Sequence, residues 1–253
     1  MLVYSLLYNV LGSQWPVLLV LLSGMVASVT LKKLTPAGAM LGGIIGFVIF
    51  LSAGYTGLLM MATFFIVGTA ATAWRKVEKI KEGLAAPHES RRTAGQVAAN
   101  AGMAGLIGLW MLLQDNAVAV GNVMIAAVFA SATADTVSSE LGNVYGKRFY
   151  NIITFKKDAK GLNGVVSLEG TLAGLAGSLL IAMLFVAGYG WQTFHFLIIL
   201  IAGTMGNLFD SLLGATFERK GKLNNNAVNF LNTVVAAGVA FLLYGIAVTY
   251  ILK

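Results

Sequence analysis

Four acidic residues of this chain stand near the ends of apolar segments: Asp135, Glu140, Glu169 and Asp210. A carboxylate inside a membrane segment costs roughly 2.5–3.5 kcal/mol at the bilayer centre, so such residues usually line a cavity, form an ion pair or bind an ion. Carboxylates that meet at one depth could hold Mg²⁺, which bridges carboxylates to nucleotide phosphates. We predict that Asp135, Glu140 and Asp210 are metal ligands and that Glu169 completes the site or orients the acceptor, so that all four are catalytic.

The spacing of the first two acids limits this prediction. Asp135 shares a helix face with Ser139, whereas Glu140 lies about 140° further round a regular helix. Both carboxylates can therefore reach one site only if the helix loosens near Gly142. The alternative is that each carboxylate pairs with a loop cation and only fixes a helix end.

Amide side chains form two further polar faces. Asn225, Asn229 and Asn232 share one helix face at the start of the last apolar segment, and Gln96 and Asn100 share one at the start of the fourth. Contact with a substrate and hydrogen bonding between helices are both compatible with these positions.

A basic stretch at 147–160 leads into glycines at 161 and 164. Cations and flexible backbone before a helix are typical of phosphate sites, although the Lys-Ser/Thr ending of a P-loop is absent. The predicted substrate-binding residues are Arg92, Gln96, Asn100, Ser139, Lys147, Arg148, Lys156, Lys160, Asn163 and Asn229.

The composition shows which elements must position these residues. Of the 253 residues, 58% are hydrophobic and 11% are charged, whereas soluble domains are roughly 45–50% apolar and about 25% charged. The apolar runs are continuous and do not alternate with polar residues, which indicates membrane helices and not a barrel. The chain has no cysteine, which excludes disulfides, thiolate metal sites and cysteine nucleophiles.

We predict an all-α, polytopic membrane helix bundle that forms a single domain over residues 1–253. Residues 1–14 are predicted to form an interfacial helix. The eight apolar segments are Trp15–Leu31, Pro36–Ser52, Gly57–Trp74, Ala94–Leu113, Ala117–Ser138, Leu162–Ala187, Trp191–Leu213 and Ala227–Leu252.

The loops between these segments predict the orientation. All of the 17 lysines and arginines except Lys253 fall in the odd-numbered loops. The positive-inside rule makes those loops cytoplasmic, including 75–93 and 139–161, and leaves both termini on the other side. The net charge of +7 is thus explained by topology, and we expect no nucleic acid partner.

The acidic motifs resemble those of a known membrane family. The stretches ADTVSSELG, KGLNGVVSLEGTLAG and GNLFDSLLGATFE, preceded by RRTAGQVAAN, are similar to the family that includes transmembrane protein 19 and the plant phytyl phosphate kinase. This resemblance covers roughly Arg91 to Asn232. The middle block is also similar to CTP-dependent dolichol and phytol kinases, which transfer phosphate from a nucleoside triphosphate to an isoprenoid alcohol.

The resemblance implies a Mg²⁺-dependent phosphotransferase at the cytoplasmic face of the membrane. The expected partners are a nucleoside triphosphate, with CTP favoured over ATP, a prenyl phosphate such as phytyl or geranylgeranyl phosphate, and the lipid bilayer. A monomer and a homodimer both fit the sequence.

Three other functions are compatible with the same residues. A cytidylyltransferase would form a CDP-lipid and release pyrophosphate. A cation-coupled transporter would use the carboxylates as a coupling site, although such sites usually lie at the bilayer midplane. A scaffold without catalytic activity would have no use for buried acids.

Overall fold

The computed structural model describes residues 2–84, 91–114 and 117–250. Residues 85–90 of the predicted loop 75–93 lie outside this part. The helices are α1 (Leu2–Thr30), α2 (Pro36–Ala73), α3 (Lys76–Lys81), α4 (Ala94–Leu113), α5 (Val118–Tyr145), α6 (Leu168–Tyr189), α7 (Thr193–Leu213), a π turn (Gly214–Glu218) and α8 (Asn225–Tyr250). Two short antiparallel strands, β1 (Tyr150–Asn151) and β2 (Val165–Val166), join residues of the loop between α5 and α6.

Among the described residues, six helices are long and apolar enough to cross a membrane: α2, α4, α5, α6, α7 with its π turn, and α8. The part of α1 from Gln14 to Thr30 is apolar but shorter. The prediction of a polytopic helical membrane protein is therefore confirmed. α1 runs without a break from Leu2 to Thr30, so the predicted interfacial helix 1–14 continues directly into the first predicted span.

α2 reverses direction at Gly54. This residue has φ 63° and ψ −160°, a conformation that glycine adopts readily because it lacks a side chain. Gly38 and Gly68 both lie against Arg92, although thirty residues of straight helix would separate them by about 45 Å. The two arms of α2 are thus antiparallel and correspond to the second and third predicted segments.

The cation-rich loops meet at one end of the bundle. Leu34 of the first loop forms a parallel β-bridge with Arg92 of the third. Lys160 of the fifth loop pairs with Glu82 of the third at 2.6 Å. This confirms that these loops share one end of the bundle, and the assignment of that end to the cytoplasm stays a prediction.

α5 is longer than its sequence predicts. The helix continues seven residues beyond Ser138 to Tyr145, so the predicted loop 139–161 is shorter. Gly142 remains helical and packs against Gly170 of α6, since an added Cβ would lie 3.1 Å from the Gly170 Cα. Asp135 and Glu140 could share one site only if the helix loosened near Gly142, and the structure shows a continuous, closely packed helix there.

α6 begins later than predicted, at Leu168 and not at Leu162. The preceding segment is irregular because Gly161 has φ +81°. Ser167 then caps the helix, and its Oγ accepts a hydrogen bond from the Gly170 N–H at 3.1 Å. The glycine-rich segment is therefore a loop that folds back over the helix start.

Candidate active site

Asp135 of α5 and Asp210 of α7 form a pair of neighbouring acids. Their carboxyl groups lie within hydrogen-bonding distance of one another. The helices can approach this closely because Gly206 faces Ser131, and a Cβ at position 206 would collide with the Ser131 Oγ. Two carboxylates at this separation repel each other unless they share a proton or a cation. The arrangement confirms the predicted convergence of these two acids, and we call it the acid pair.

Amides of α8 hold the acid pair from one side. The Asn232 Nδ2 donates to the Asp210 Oδ2 at 2.8 Å, and the Asn232 Oδ1 accepts from the Ser131 Oγ at 3.0 Å. With its amide nitrogen turned toward the acid, Asn229 donates to the same Asp210 oxygen at 3.2 Å. The amide face predicted for α8 therefore contacts the acids directly.

Glu218 is a third acid near the pair that the sequence analysis does not single out. It lines the same cavity as Asp135 and Asp210. In a regular α-helix Glu218 would lie about 80° round from Asp210. The wider π turn at Gly214–Glu218 reduces this rotation and returns Glu218 toward the same face. Such π turns are frequent at functional sites.

Glu140 does not join the acid pair as a free carboxylate. Its Oε2 lies 2.5 Å from the Lys79 Nζ, and Lys79 is only 3% exposed. Lys79 also donates to the Thr72 carbonyl at 2.9 Å, so the pair fixes α3 between α2 and α5. Because α5 stays helical through Gly142, Glu140 keeps the orientation that a regular helix gives it. We therefore leave Glu140 out of the proposed metal ligands.

Glu169 lies in the first turn of α6, as predicted. Its Oε2 accepts a hydrogen bond from the Lys147 N–H at 3.4 Å, and it is not among the residues that line the cavity of the acid pair. Within the described ranges, no three His, Cys, Asp or Glu residues stand close enough to hold a metal alone. A metal at the acid pair would thus need oxygens from phosphate or water, which Mg²⁺ commonly uses.

A cavity of about 240 Å³ opens on one side of the acid pair. We call it the glycine-loop cavity, because the segment 161–167 forms one wall. Ser138 and Asn207 form the opposite wall, where the Ser138 Oγ donates to the Asn207 Oδ1 at 3.0 Å. Asn163, a predicted substrate-binding residue, also lines this cavity.

Arg219 anchors the wall of the glycine-loop cavity to the end of the π turn. Its Nε donates to the Asn163 carbonyl at 2.5 Å, and its guanidinium pairs with Asp158 at 2.8 Å. The Ala159 N–H, followed by Arg219, lowers the pKa of the Asp158 carboxyl below its usual value. The glycine-rich loop is therefore held in place by a charged contact outside the membrane helices.

A second cavity, of about 430 Å³, opens on the other side of Asp135. Residues Asp135, Ser139 and Asn225 line both cavities, so the two meet at the acid pair. We call this second space the cation-lined cavity, since it is lined by Lys32, Lys33, Lys76, Arg91 and Arg92.

Backbone pairing fixes two of these cations. The Arg92 N–H donates to the Lys33 carbonyl at 2.9 Å, and the Thr35 N–H donates to the Arg92 carbonyl at 3.0 Å. The Arg92 guanidinium lies 5.4 Å from the centre of the Phe64 ring. Burial lowers the pKa of the Arg92 guanidinium, and the carboxylate of Glu140 offsets part of this effect.

Asn100 lines the cation-lined cavity and has a buried acceptor without a hydrogen bond. This side chain is only 7% exposed, and its Oδ1 has no hydrogen-bond partner. Its Nδ2 donates to the Gln96 carbonyl at 2.9 Å. Gln96 itself caps α4, since its Oε1 accepts from the Thr93 N–H at 2.9 Å. Of the pair Gln96 and Asn100, it is thus Asn100 whose side-chain oxygen has no hydrogen bond and could accept one from a ligand.

The model of the integral membrane protein family DUF92 matches residues 18–237. The chain belongs to the DUF92 family. The resemblance seen in the acidic motifs is thereby confirmed, and the matched range includes the acid pair and both cavities.

Several curated proteins are similar to this DUF92 chain. An uncharacterized membrane protein of Methanocaldococcus jannaschii is 34% identical over 211 residues, which cover 82% of this chain and 84% of that protein. An uncharacterized membrane protein of Synechocystis is 34% identical over 221 residues, with 83% and 82% coverage. The chloroplast protein VTE6 of Arabidopsis thaliana is 32% identical over 201 residues, with 75% of this chain and 59% of VTE6 covered. No solved structure matches.

Of the five predicted basic residues of the DUF92 chain, Arg92 lines the cation-lined cavity beside Asp135, whereas the other four lie elsewhere. Lys160 pairs with Glu82, and the side chains of Lys147, Arg148 and Lys156 are exposed. None of these four lines the glycine-loop cavity or the cation-lined cavity. The cations near the acid pair come instead from the first and third loops, whose approach to α5 no local sequence pattern indicates.

Proposed function

We propose that this DUF92 protein is a membrane-embedded phosphotransferase that moves a phosphoryl group from a nucleoside triphosphate to a prenyl phosphate. The observation that carries the proposal is the position of the acid pair at the junction of two polar cavities. A transferase must bring a donor and an acceptor to one point, and Asp135, Ser139 and Asn225 form that point.

The glycine-loop cavity suits the nucleotide. Its wall combines the backbone of segment 161–167 with the start of α6, and the positive end of a helix dipole favours phosphate oxygens. The acid pair and Glu218 border the same space, so that Mg²⁺ held by Asp135 and Asp210 could bridge them to the phosphates. This metal would offset the negative charge of the transferred phosphoryl group.

The cation-lined cavity suits an acceptor that is already an anion. Five lysine and arginine side chains line it, which favours a phosphate over a neutral alcohol. A phosphate monoester is largely ionised at neutral pH, because its second pKa is about 6. Its oxygen can attack the γ-phosphorus without a general base, the bond from that phosphorus to the bridging oxygen breaks, and the nucleoside diphosphate leaves.

Product analysis tests the proposal. The purified protein is incubated with Mg²⁺, prenyl phosphates or prenols, and CTP or ATP labelled at either the γ- or the α-phosphate. We expect γ-label in a lipid diphosphate. α-Label in a CDP-lipid would instead indicate the cytidylyltransferase, and cation flux into liposomes without nucleotide turnover would indicate the transporter.

Substitutions connect the activity to the acid pair. We expect Asp135→Asn and Asp210→Asn each to lower the transfer rate by about 10²–10³-fold, the usual cost of removing one electrostatic contact to a transition state. Glu78→Gln is the matched control, because Glu78 is an exposed acid of the same end that pairs with Arg75 at 3.3 Å. Full activity in both aspartate variants would refute the proposal.

A further inference from the structure

An apolar groove leads away from the cation-lined cavity into the membrane part of the bundle. It has a volume of about 430 Å³ and lies between α1, the two arms of α2 and the start of α4. We call it the α1 groove. Its lining includes Val20, Leu21, Gly24, Leu58, Phe65 and Val97.

The mouth of the α1 groove is charged. Leu31, Lys33, Arg92 and Gln96 line both this groove and the cation-lined cavity, so the two spaces are continuous. The paired backbones of Lys33 and Arg92 hold two cations where the apolar wall ends. A ligand that fits must therefore carry a long apolar chain and an anionic head.

We infer that the α1 groove binds the isoprenoid tail of the acceptor and that its length selects chains of about three to four isoprene units. This inference rests on the proposed function. The phosphate of the acceptor lies in the cation-lined cavity beside Asp135, and the tail extends past Arg92 along α1.

The length of the groove sets the length of the chain. The α1 residues that line it run from Val20 to Leu31, a distance of about 16 Å at 1.5 Å per residue. One residue of an extended polypeptide spans about 3.5 Å with its three backbone bonds. An extended isoprene unit has four chain bonds and therefore spans about 5 Å on the same scale. The groove thus accommodates a C15 to C20 chain, and shorter chains leave part of it empty.

A second apolar groove is the competing location. It lies between α2, α4 and α8, has a volume of about 580 Å³ and includes Gly102 and Phe230. It shares no lining residue with the cation-lined cavity. A tail in that groove would not bring its phosphate to the acid pair through an adjoining space.

Glycine substitutions test the α1 groove by kinetics. A Cβ at Gly24 would meet no atom within 4 Å, and one at Gly42 would meet only the Val97 Cγ1 at 4.0 Å. Gly24→Leu and Gly42→Leu should therefore fold and obstruct the groove. We expect each to lower kcat/KM for a C20 prenyl phosphate at least tenfold while changing that for a C10 prenyl phosphate less than threefold.

Two matched variants serve as controls. Gly238→Leu introduces the same change at another helical glycine with no atom within 4 Å of the added Cβ, and Gly102→Leu fills the competing groove. Both should keep the chain-length preference of the unmodified protein. Loss of the C20 preference in Gly102→Leu, with Gly42→Leu unaffected, would overturn the inference.

Photo-crosslinking tests the tail site without any need for catalysis. A C20 prenyl phosphate with a diazirine at the end of its tail is irradiated with the protein in phosphatidylcholine nanodiscs, and the labelled peptides are sequenced. We expect label near Val20 and Leu21, and loss of that label in Gly42→Leu. Label on α8 near Phe230, or no label at all, would overturn the inference. It would also be overturned if phosphatidic acid reduced the labelling as strongly as an unlabelled C20 prenyl phosphate does.

The two experiments separate the proposals. Label in the α1 groove without phosphoryl transfer from any nucleotide would support the tail site and refute the proposed kinase. Phosphoryl transfer with label confined to the competing groove would support the kinase and refute the tail site.

Discussion

The buried amide of Asn232 gives the sharpest prediction about the acid pair. Replacing it with leucine keeps the number and branching of the side-chain heavy atoms but removes its hydrogen bond to Asp210 at 2.8 Å and the one from Ser131 at 3.0 Å. Hydrogen bonds between membrane helices contribute about 0.6 kcal/mol on average and about 1.7 kcal/mol at most. Two such bonds give a loss of about 1.2–3.4 kcal/mol, or a Tm lowered by about 2–14 °C at this size.

The same substitution should weaken metal binding at the acid pair. Partners that orient metal ligands typically contribute about 10–100-fold in affinity or activity. We therefore expect Asn232→Leu to raise the Mg²⁺ concentration for half-maximal phosphotransfer by that factor. The assays are thermal denaturation in detergent and an Mg²⁺ titration of the labelled transfer reaction.

Asn122→Leu is the control for this experiment. The Asn122 Oδ1 accepts a hydrogen bond from the Tyr189 hydroxyl at 3.3 Å, at the opposite end of the bundle. This variant should also lower the Tm, by the loss of one bond, but should leave the Mg²⁺ dependence unchanged. An Asn232→Leu protein with unaltered Mg²⁺ dependence would show that the amide does not position Asp210 for a metal.

Three further predictions concern the end of the bundle that carries the site. Gly38→Ala should destabilise the protein, because its Cβ would lie 2.9 Å from the Arg92 carbonyl; an unchanged Tm would contradict this contact. Lys79→Met should lower the Tm more than Glu140→Gln, because only the former leaves the Glu140 carboxylate and the Thr72 carbonyl without the Lys79 donor; the reverse order in thermal denaturation would contradict it. The folded pKa of Asp158 is lowered, so its contribution to stability is present above the unfolded pKa of about 3.9 and is lost as the pH falls through the folded pKa. The protection of residues 150–166 against hydrogen exchange, corrected for the intrinsic exchange rate, should therefore fall in acid. The fall should be smaller in Arg219→Gln, because Arg219 is one of the groups that lower this pKa; an equal fall in both proteins would contradict this.

Much of the fold could be predicted because membrane helices are specified locally. Continuous apolar runs define most of the helices, and the distribution of lysine and arginine correctly places the odd-numbered loops at one end. The helix ends were harder to predict, since Ser167 and the glycines before it postpone the start of α6, and close packing at Gly142 extends α5.

The acid pair was also predictable in part. Asp135 and Asp210 lie at similar depth on helices that end at the same face, and small residues such as Gly206 allow close approach. The partner of Glu140 was not predictable, because Lys79 reaches it from 61 residues away. The role of Glu218 depends on a π turn, which no hydropathy pattern indicates.

The amide support of Asp210 has a consequence for how the protein is made. Asp135 and Asp210 enter the bilayer with α5 and α7, whereas Asn229 and Asn232 belong to α8, which is synthesised after both of these helices. Until α8 inserts, Asp210 lacks the amide donors that hold it in the finished bundle. The acid pair can therefore reach its supported arrangement only after α8 has packed against α7.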